Sequence, residues 1–167
     1  MAKMVSYFST LLNIDPIQKI NLIEAAKIHD IGKLLVPRKI LNKPDSLTRE
    51  EFSEIKKHPH HGVLLLNGIS EDIATSILHH HEKYDGTGYP EGLSGSEIPL
   101  GSRIISIFDS LDAMISKRCY SSPISFNDAF NEITDNSGKM YDPELITILE
   151  AHYAKIEEIT QKYRIAA

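Results

Sequence analysis

Cysteine occurs once, as Cys119, so the chain carries no internal disulfide framework and no thiolate metal cluster. Basic charge is also short: 18 Lys+Arg stand against 23 Asp+Glu, a net charge of −5. A nucleic-acid surface would need a basic patch, so polymeric nucleic acid is not an expected partner. The deficit leaves room for a small phosphate ligand, because bound metal can supply positive charge. Long apolar runs are missing as well. The longest, such as Val63 to Leu66, fall far below a bilayer span. The opening Met1-Ala2-Lys3-Met4 lacks a signal-peptide layout, and the expectation is a cytoplasmic chain without membrane insertion. No segment sustains period-two alternation, and no repeat, low-complexity tract or linker divides the 167 residues.

What is present is helical punctuation. Residues 1 to 12 read as the tail of a helix. Asp15-Pro16 opens the next, with Asp as N-cap and Pro at the first helical position; Ile17, Ile20, Leu22, Ile23 and Ala26 follow at helical spacing. Gly32 reads as its C-terminal stop, which puts His29 and Asp30 in the last turn. Thr48 with Glu51 forms a capping-box pattern. Pro59 starts a segment with Val63, Leu64 and Leu66, and Ser70 caps another that buries Ile73, Ile77 and Leu78. Glu82 to Pro99 holds four glycines and two prolines and reads as a structured loop. A long helix follows with Ile104, Phe108, Leu111 and Ile115 as its stripe. Ser125 caps a short helix, and Asp142-Pro143 starts the last, from Glu144 to about Tyr163. The expected fold is all-α, a helical bundle of about seven or eight helices.

Histidine is the excess: eight in all, seven of them before residue 82. His29-Asp30 pairs an imidazole with a carboxylate at a helix end. Adjacent helical residues point about 100° apart, so both can flank a nearby pair of ions, and a carboxylate can bridge two cations. His80-His81 repeats the layout before the glycine loop, with His58 between. Asp109 sits in the apolar stretch Ile104 to Phe108, where a lone carboxylate needs a partner. Taken singly, each is an ordinary surface or hydrogen-bonded residue, and His60, His61 and His79 fit that description, solvated or behind the ligands. The ordered series is harder to explain so plainly. Mixed nitrogen and oxygen ligands suit iron, manganese, nickel, cobalt or zinc better than calcium or magnesium. Two cations roughly 3.5–4 Å apart would polarise a phosphate and activate water for in-line attack. Lys33 would steady the phosphate charge, and Asp112, one turn past Asp109, would be a surface acid or an orienting group.

These residues carry a family resemblance. His29-Asp30-Ile31-Gly32-Lys33, followed by His80-His81-Glu82-Lys83-Tyr84-Asp85-Gly86-Thr87-Gly88-Tyr89-Pro90, resembles the HD-GYP domains, a subgroup of the HD phosphohydrolase superfamily. Lys57-His58-Pro59, Glu97-Ile98-Pro99-Leu100, Arg103-Ile104, Asp109 to Ala113 and Asp142 to Leu145 support it, from about residue 1 to about residue 150. The resemblance implies a helical fold around two or three metals, often iron or manganese, and hydrolysis of cyclic di-GMP to the linear dinucleotide and sometimes GMP. It implies metal ligands at His29, Asp30, His58, His80, His81 and Asp109, a phosphate contact at Lys33 and a substrate arginine at Arg118. It associates Gly88 and Tyr89 with substrate binding and with docking of GGDEF-type cyclase domains.

Three positions depart from the family's pattern. Its upstream histidine would fall before Met1, so the expectation is a single HD-GYP domain over residues 1–167 without the family's first helix and that helix's ligand. Arg118-Cys119-Tyr120-Ser121 stands where the family commonly reads Arg-Pro-Tyr-Lys. Ser137-Gly138-Lys139-Met140-Tyr141-Asp142-Pro143 varies a further stretch. Against a phosphodiesterase with Lys33 and Asp112 as catalytic groups stands a catalytically weak module that binds cyclic di-GMP or a GGDEF partner.

Overall fold

The computed structural model describes residues 1–116 and 123–164. These form ten α-helical segments: α1 (Ala2–Phe8), α2 (Pro16–Ile28), α3 (Arg38–Leu41), α4 (Arg49–Ile55), α5 (His58–Leu65), α6 (Glu71–Leu78), α7 (Leu100–Ile115), α8 (Phe126–Asp135), α9 (Pro143–Ala151) and α10 (Tyr153–Arg164). Two 3-10 turns, Ile31–Leu35 and Gly95–Glu97, complete the described elements, with no strand among them. None of the described helices is long and apolar enough to cross a membrane.

The helix starts follow local chemistry. Asp15 accepts from the N–H groups of Ile17 and Gln18, and the Gln18 side chain accepts from the Asp15 N–H. Thr48 and Glu51 make the same reciprocal pair at α4. Ser70, Ser125 and Asp142 each accept a backbone N–H at the starts of α6, α8 and α9. Each such cap is worth about 1 kcal/mol.

The core forms around α7. Ile104, Ile105, Ile107, Phe108, Leu111 and Ile115 are all buried, a face wider than one stripe, because α1, α2, α6 and α8 pack around it. Phe8 of α1 meets Phe108 edge-on at 5.2 Å. Each such buried side chain contributes about 1.5–3 kcal/mol, so α7 is a firm platform for the residues it carries.

Three sequence expectations change. On α2, Leu22, Ala25 and Ala26 form the buried face, whereas Ile17 and Ile20 are 69% and 59% exposed. The buried trio has i, i+3, i+4 spacing and faces α6 and α7, leaving the two isoleucines on the other side. Gly32 is not a helix stop, because α2 ends at Ile28 and Gly32 lies inside the first 3-10 turn. A Cβ there would lie 1.9 Å from the His58 carbonyl oxygen and 2.4 Å from the Gly62 nitrogen, so glycine is required by the backbone of α5. The final helix is two. It breaks at His152, whose Nδ1 pairs with the Tyr7 hydroxyl at 2.9 Å, and α10 then lays Ile156 and Thr160 into the core beside α1. The short α3 and this break lift the segment count above the expected seven or eight.

Candidate metal centre

Three imidazoles are oriented by the ends of three helices. The Nδ1–H of His29 donates to the Ala26 carbonyl at 3.0 Å, that of His58 to Ile55 at 2.8 Å, and that of His80 to Ile77 at 2.6 Å. Ala26, Ile55 and Ile77 lie in the last turns of α2, α4 and α6, where helix carbonyls have no intrahelical donor. A carbonyl can only accept, so the proton is assigned to Nδ1 and each Nε2 is left with a bare lone pair.

Those lone pairs converge. His58 Nε2 lies 3.3 Å from His80 Nε2 and 3.2 Å from His81 Nε2. The bare His58 and His80 nitrogens facing each other cannot share a hydrogen bond. Nitrogens bound to one ion at about 2.0–2.1 Å, with bond angles between octahedral and tetrahedral, would stand about 2.9–3.3 Å apart, which these do. Asp30 Oδ1 joins this group, 3.3 Å from His58 Nε2. Its other oxygen, Oδ2, lies 3.5 Å from His29 Nε2, which is itself 3.5 Å from Asp109 Oδ1. The donors therefore form two sets, Asp30 with His58, His80 and His81, and Asp30 with His29 and Asp109, sharing one carboxylate. His29 Nε2 and Asp30 Oδ1 are buried and lack a hydrogen-bond partner. Unpaired buried acceptors are costly, and a divalent cation in each set would satisfy them.

The electrostatics favour cation binding. Burial opposes ionisation of Asp30, but the nearby His58, His29 and Lys33 outweigh it and hold the carboxyl well below the usual carboxylate range. Asp109 is also lowered; burial again opposes, and the nearby His29 prevails. Burial, reinforced by His29 and His58, pushes His80 down to about 4. Burial with His80 and His58 pushes His81 down to about 2. His29 moves the other way: Asp109 and Asp30 overcome its burial and raise it. At neutral pH the set offers two ionised carboxylates, Asp30 and Asp109, with His80 and His81 as neutral imidazoles, the forms that bind metal, while the proton favoured on His29 would be displaced by a cation.

The glycine loop folds back onto the site. Tyr89 N–H donates to the His81 carbonyl at 3.2 Å, and its ring stacks on His81 with centroids 4.8 Å apart. A Cβ on Gly88 would lie 2.3 Å from the Lys83 nitrogen, so only glycine permits this close return. Burial, then the charges of Asp30 and Asp109, raise the Tyr89 hydroxyl, which stays protonated. Buried Glu82 clamps the loop: its Oε1 accepts from the N–H groups of Glu91 and Gly92 at 2.7 and 3.0 Å. Just after Glu82 the loop is tied to the α8–α9 turn, through Tyr84 and Asp85 N–H groups on the carbonyls of Met140 and Lys139.

The six residues His29, Asp30, His58, His80, His81 and Asp109 thus come together. Lys33 joins them through Asp30 Oδ2 at 2.7 Å. Asp112 instead accepts from the Met1 amino group at 3.0 Å, and no contact to the six is described for it. Arg118 lies outside the described residues. His60 is exposed; His79 is not solvated but buried, joining Thr75 to Glu91. Sequence reasoning missed Glu82 and Lys56, whose ammonium lies 4.9 Å from the centre of the Tyr89 ring. For Glu82 there was a signal, a carboxylate between the paired histidines and a glycine-rich loop full of N–H donors.

The model of the HD domain family matches residues 1–145. The chain is 44% identical over 144 residues to a cyclic di-GMP phosphodiesterase of Thermotoga maritima, covering 84% of this chain and 38% of that protein. It is 36% identical over 155 residues to a cyclic di-GMP phosphodiesterase response regulator of Xanthomonas campestris pv. campestris, covering 90% and 41%. The chain therefore spans about two fifths of the length of these relatives. Its fold is similar to the crystal structure of a cyclic GMP-AMP specific phosphodiesterase of V. cholerae, with a TM-score of 0.70 at 18% identity over 98% of this chain and 43% of that one.

Proposed function

Because this chain belongs to the HD domain family, we propose that it is a metal-dependent phosphodiesterase that hydrolyses cyclic di-GMP to the linear dinucleotide. The observation that carries the reading is the convergence of bare Nε2 atoms around a carboxylate shared by two donor sets. His58, His80 and His81 would hold one divalent ion and His29 and Asp109 a second, with Asp30 between them. The family resemblance points to iron or manganese, and the oxygen and nitrogen set also fits nickel, cobalt or zinc. Bound there, two ions supply Lewis-acid charge to a phosphoryl group and lower the pKa of water.

The chain's own residues do the rest. Lys33, fixed on Asp30, contributes a cation beside the phosphoryl oxygens, a preorganised charge of the kind that stabilises developing negative charge. Tyr89 keeps its proton and offers a hydroxyl donor from the loop. The Tyr89 ring, held against His81, forms a side of the site against which a sugar or base can rest. By the family resemblance, Arg118 would stabilise the equatorial oxygens of the same phosphoryl group as Lys33.

The relatives support this choice of substrate, since the Thermotoga and Xanthomonas proteins are cyclic di-GMP phosphodiesterases. The structural neighbour's activity towards cyclic GMP-AMP motivates testing that ligand beside it. The chain, purified and loaded with manganese or iron(II), is expected to linearise cyclic di-GMP, followed by chromatography. Metal content should reach two ions per chain and fall to one or none in Asp30→Asn, with turnover lost. A loaded protein that binds cyclic di-GMP without cleaving it would replace this reading with that of a binding module.

A further inference from the structure

We infer that Lys56 is a second phosphate-binding group: its ammonium, held against the rings of Phe52 and Tyr89 at the rim of the metal centre, is placed for the phosphate of a cyclic dinucleotide that is not being cleaved. The inference rests on the function proposed above and extends it to how substrates are told apart.

A cyclic dinucleotide carries two anionic phosphodiesters. The metal centre can receive one, and the other must find a cation outside it. The lysines around the site are mostly committed to carboxylates: Lys33 to Asp30 at 2.7 Å, Lys43 to Glu51 at 2.6 Å and Lys57 to Glu54 at 2.5 Å. Lys56 differs. Its Nζ lies 5.0 Å from the centre of the Phe52 ring and 4.9 Å from that of Tyr89, and among the described residues no carboxylate is within ion-pair distance of it. Aromatic faces attract and position an ammonium without neutralising it, so the charge is held in place and available. Its position is tied to the centre twice. Lys56 ends α4 two residues before His58, and the ring it touches is the one stacked on His81. Phe52, 46% exposed, leaves an open approach beside it. Holding the side chain in advance removes part of the entropy cost of ordering a lysine on a ligand.

The test compares two substrates on the full metal-loaded chain: cyclic di-GMP, with two phosphates, and bis(p-nitrophenyl) phosphate, with one. Lys56→Met keeps a flexible apolar stem against the two rings and removes the charge. The KM for cyclic di-GMP is expected to rise about tenfold more than the KM for the single diester, the scale of one lost charge-assisted contact. The kcat for cyclic di-GMP should change far less than its KM, and Lys56→Arg should restore most of the loss. Equal losses on both substrates, or no rescue by arginine, would show that Lys56 only props Tyr89 and would overturn this inference alone. A wild-type chain that cleaves the single diester but neither binds nor cleaves cyclic di-GMP would overturn the substrate reading and this inference with it.

Discussion

The most demanding consequence of the structure concerns a residue with no side chain. Gly32 lies three residues after His29 and touches no ligand with a side chain of its own, yet Gly32→Ala is expected to damage both stability and metal binding. The added methyl would sit 1.9 Å from the His58 carbonyl oxygen, 2.4 Å from the Gly62 nitrogen and 2.9 Å from the His58 carbonyl carbon. All three are backbone atoms, so no rotamer change relieves the clash. The 3-10 turn and α5 would have to separate by about 1 Å or more before the contact became tolerable. Overpacking of this kind costs about 1–3 kcal/mol where side chains can adapt, and this site should exceed the upper end. The separation also moves His58 relative to Asp30, now 3.3 Å from it, when a metal site needs its ligands held within about 0.5 Å. Urea unfolding of the metal-free protein should show a loss of about 3 kcal/mol or more, and metal affinity, titrated separately, should fall by at least tenfold. A variant within about 0.5 kcal/mol of wild type with unchanged metal affinity would refute the close approach and the role assigned to it.

Two further substitutions test the supports of the loop and the core. Arg103 pairs with buried Asp142, which also caps α9 by accepting the Glu144 N–H at 2.8 Å. Arg103→Met leaves that carboxylate buried without its cation and should cost about 3–5 kcal/mol in urea unfolding; a loss under about 1 kcal/mol would mean water replaces the arginine. Glu82→Ala deprives the Glu91 and Gly92 N–H groups of their acceptor, so both amides should exchange with solvent faster by hydrogen–deuterium exchange, while Glu82→Gln should keep most of the protection. Unchanged exchange in the alanine variant would show that the loop is held elsewhere.

How much of this could be read beforehand depended on the range of the interaction. Asp15, Thr48, Ser70, Ser125 and Asp142 were all legible as helix starts because a cap bonds to N–H groups two or three residues away. The six clustered donors were legible by residue type and order, since few other needs bring two His-led pairs and a carboxylate in an apolar stretch into one chain. What stayed hidden is non-local. The Gly32 contact is with α5 and has no periodic signature, and a glycine near a helix end reads as a stop. Lys56 and Tyr89 are far apart in sequence and meet only because the loop folds back over His81. His152, at the break between α9 and α10, bonds to Tyr7 at the opposite end of the chain, a contact with no local signature, so an unbroken helical pattern was the natural reading.

Stability and metal binding should also be coupled, because both draw on the same helix ends. The Ala26, Ile55 and Ile77 carbonyls would be left unpaired at the ends of α2, α4 and α6; accepting the histidine Nδ1–H groups satisfies them and at the same time aims the Nε2 lone pairs inward. The negative ends of three helices then face one point already occupied by two carboxylates. Without a cation this arrangement sets bare lone pairs 3.3 Å apart between His58 and His80 and leaves His29 Nε2 and Asp30 Oδ1 buried and unpaired. A metal that binds the folded chain and not the unfolded one stabilises by about 2.7 kcal/mol at a hundredfold excess over Kd. For a domain of this size that corresponds to a rise in Tm of roughly 5–10 °C. Manganese added to chelator-treated protein should produce this shift, and Asp30→Asn, which weakens the group common to both donor sets, should abolish most of it. A Tm that does not respond to manganese, iron, cobalt, nickel or zinc would mean that the converging lone pairs are satisfied without an ion, and the metal reading would fall with them.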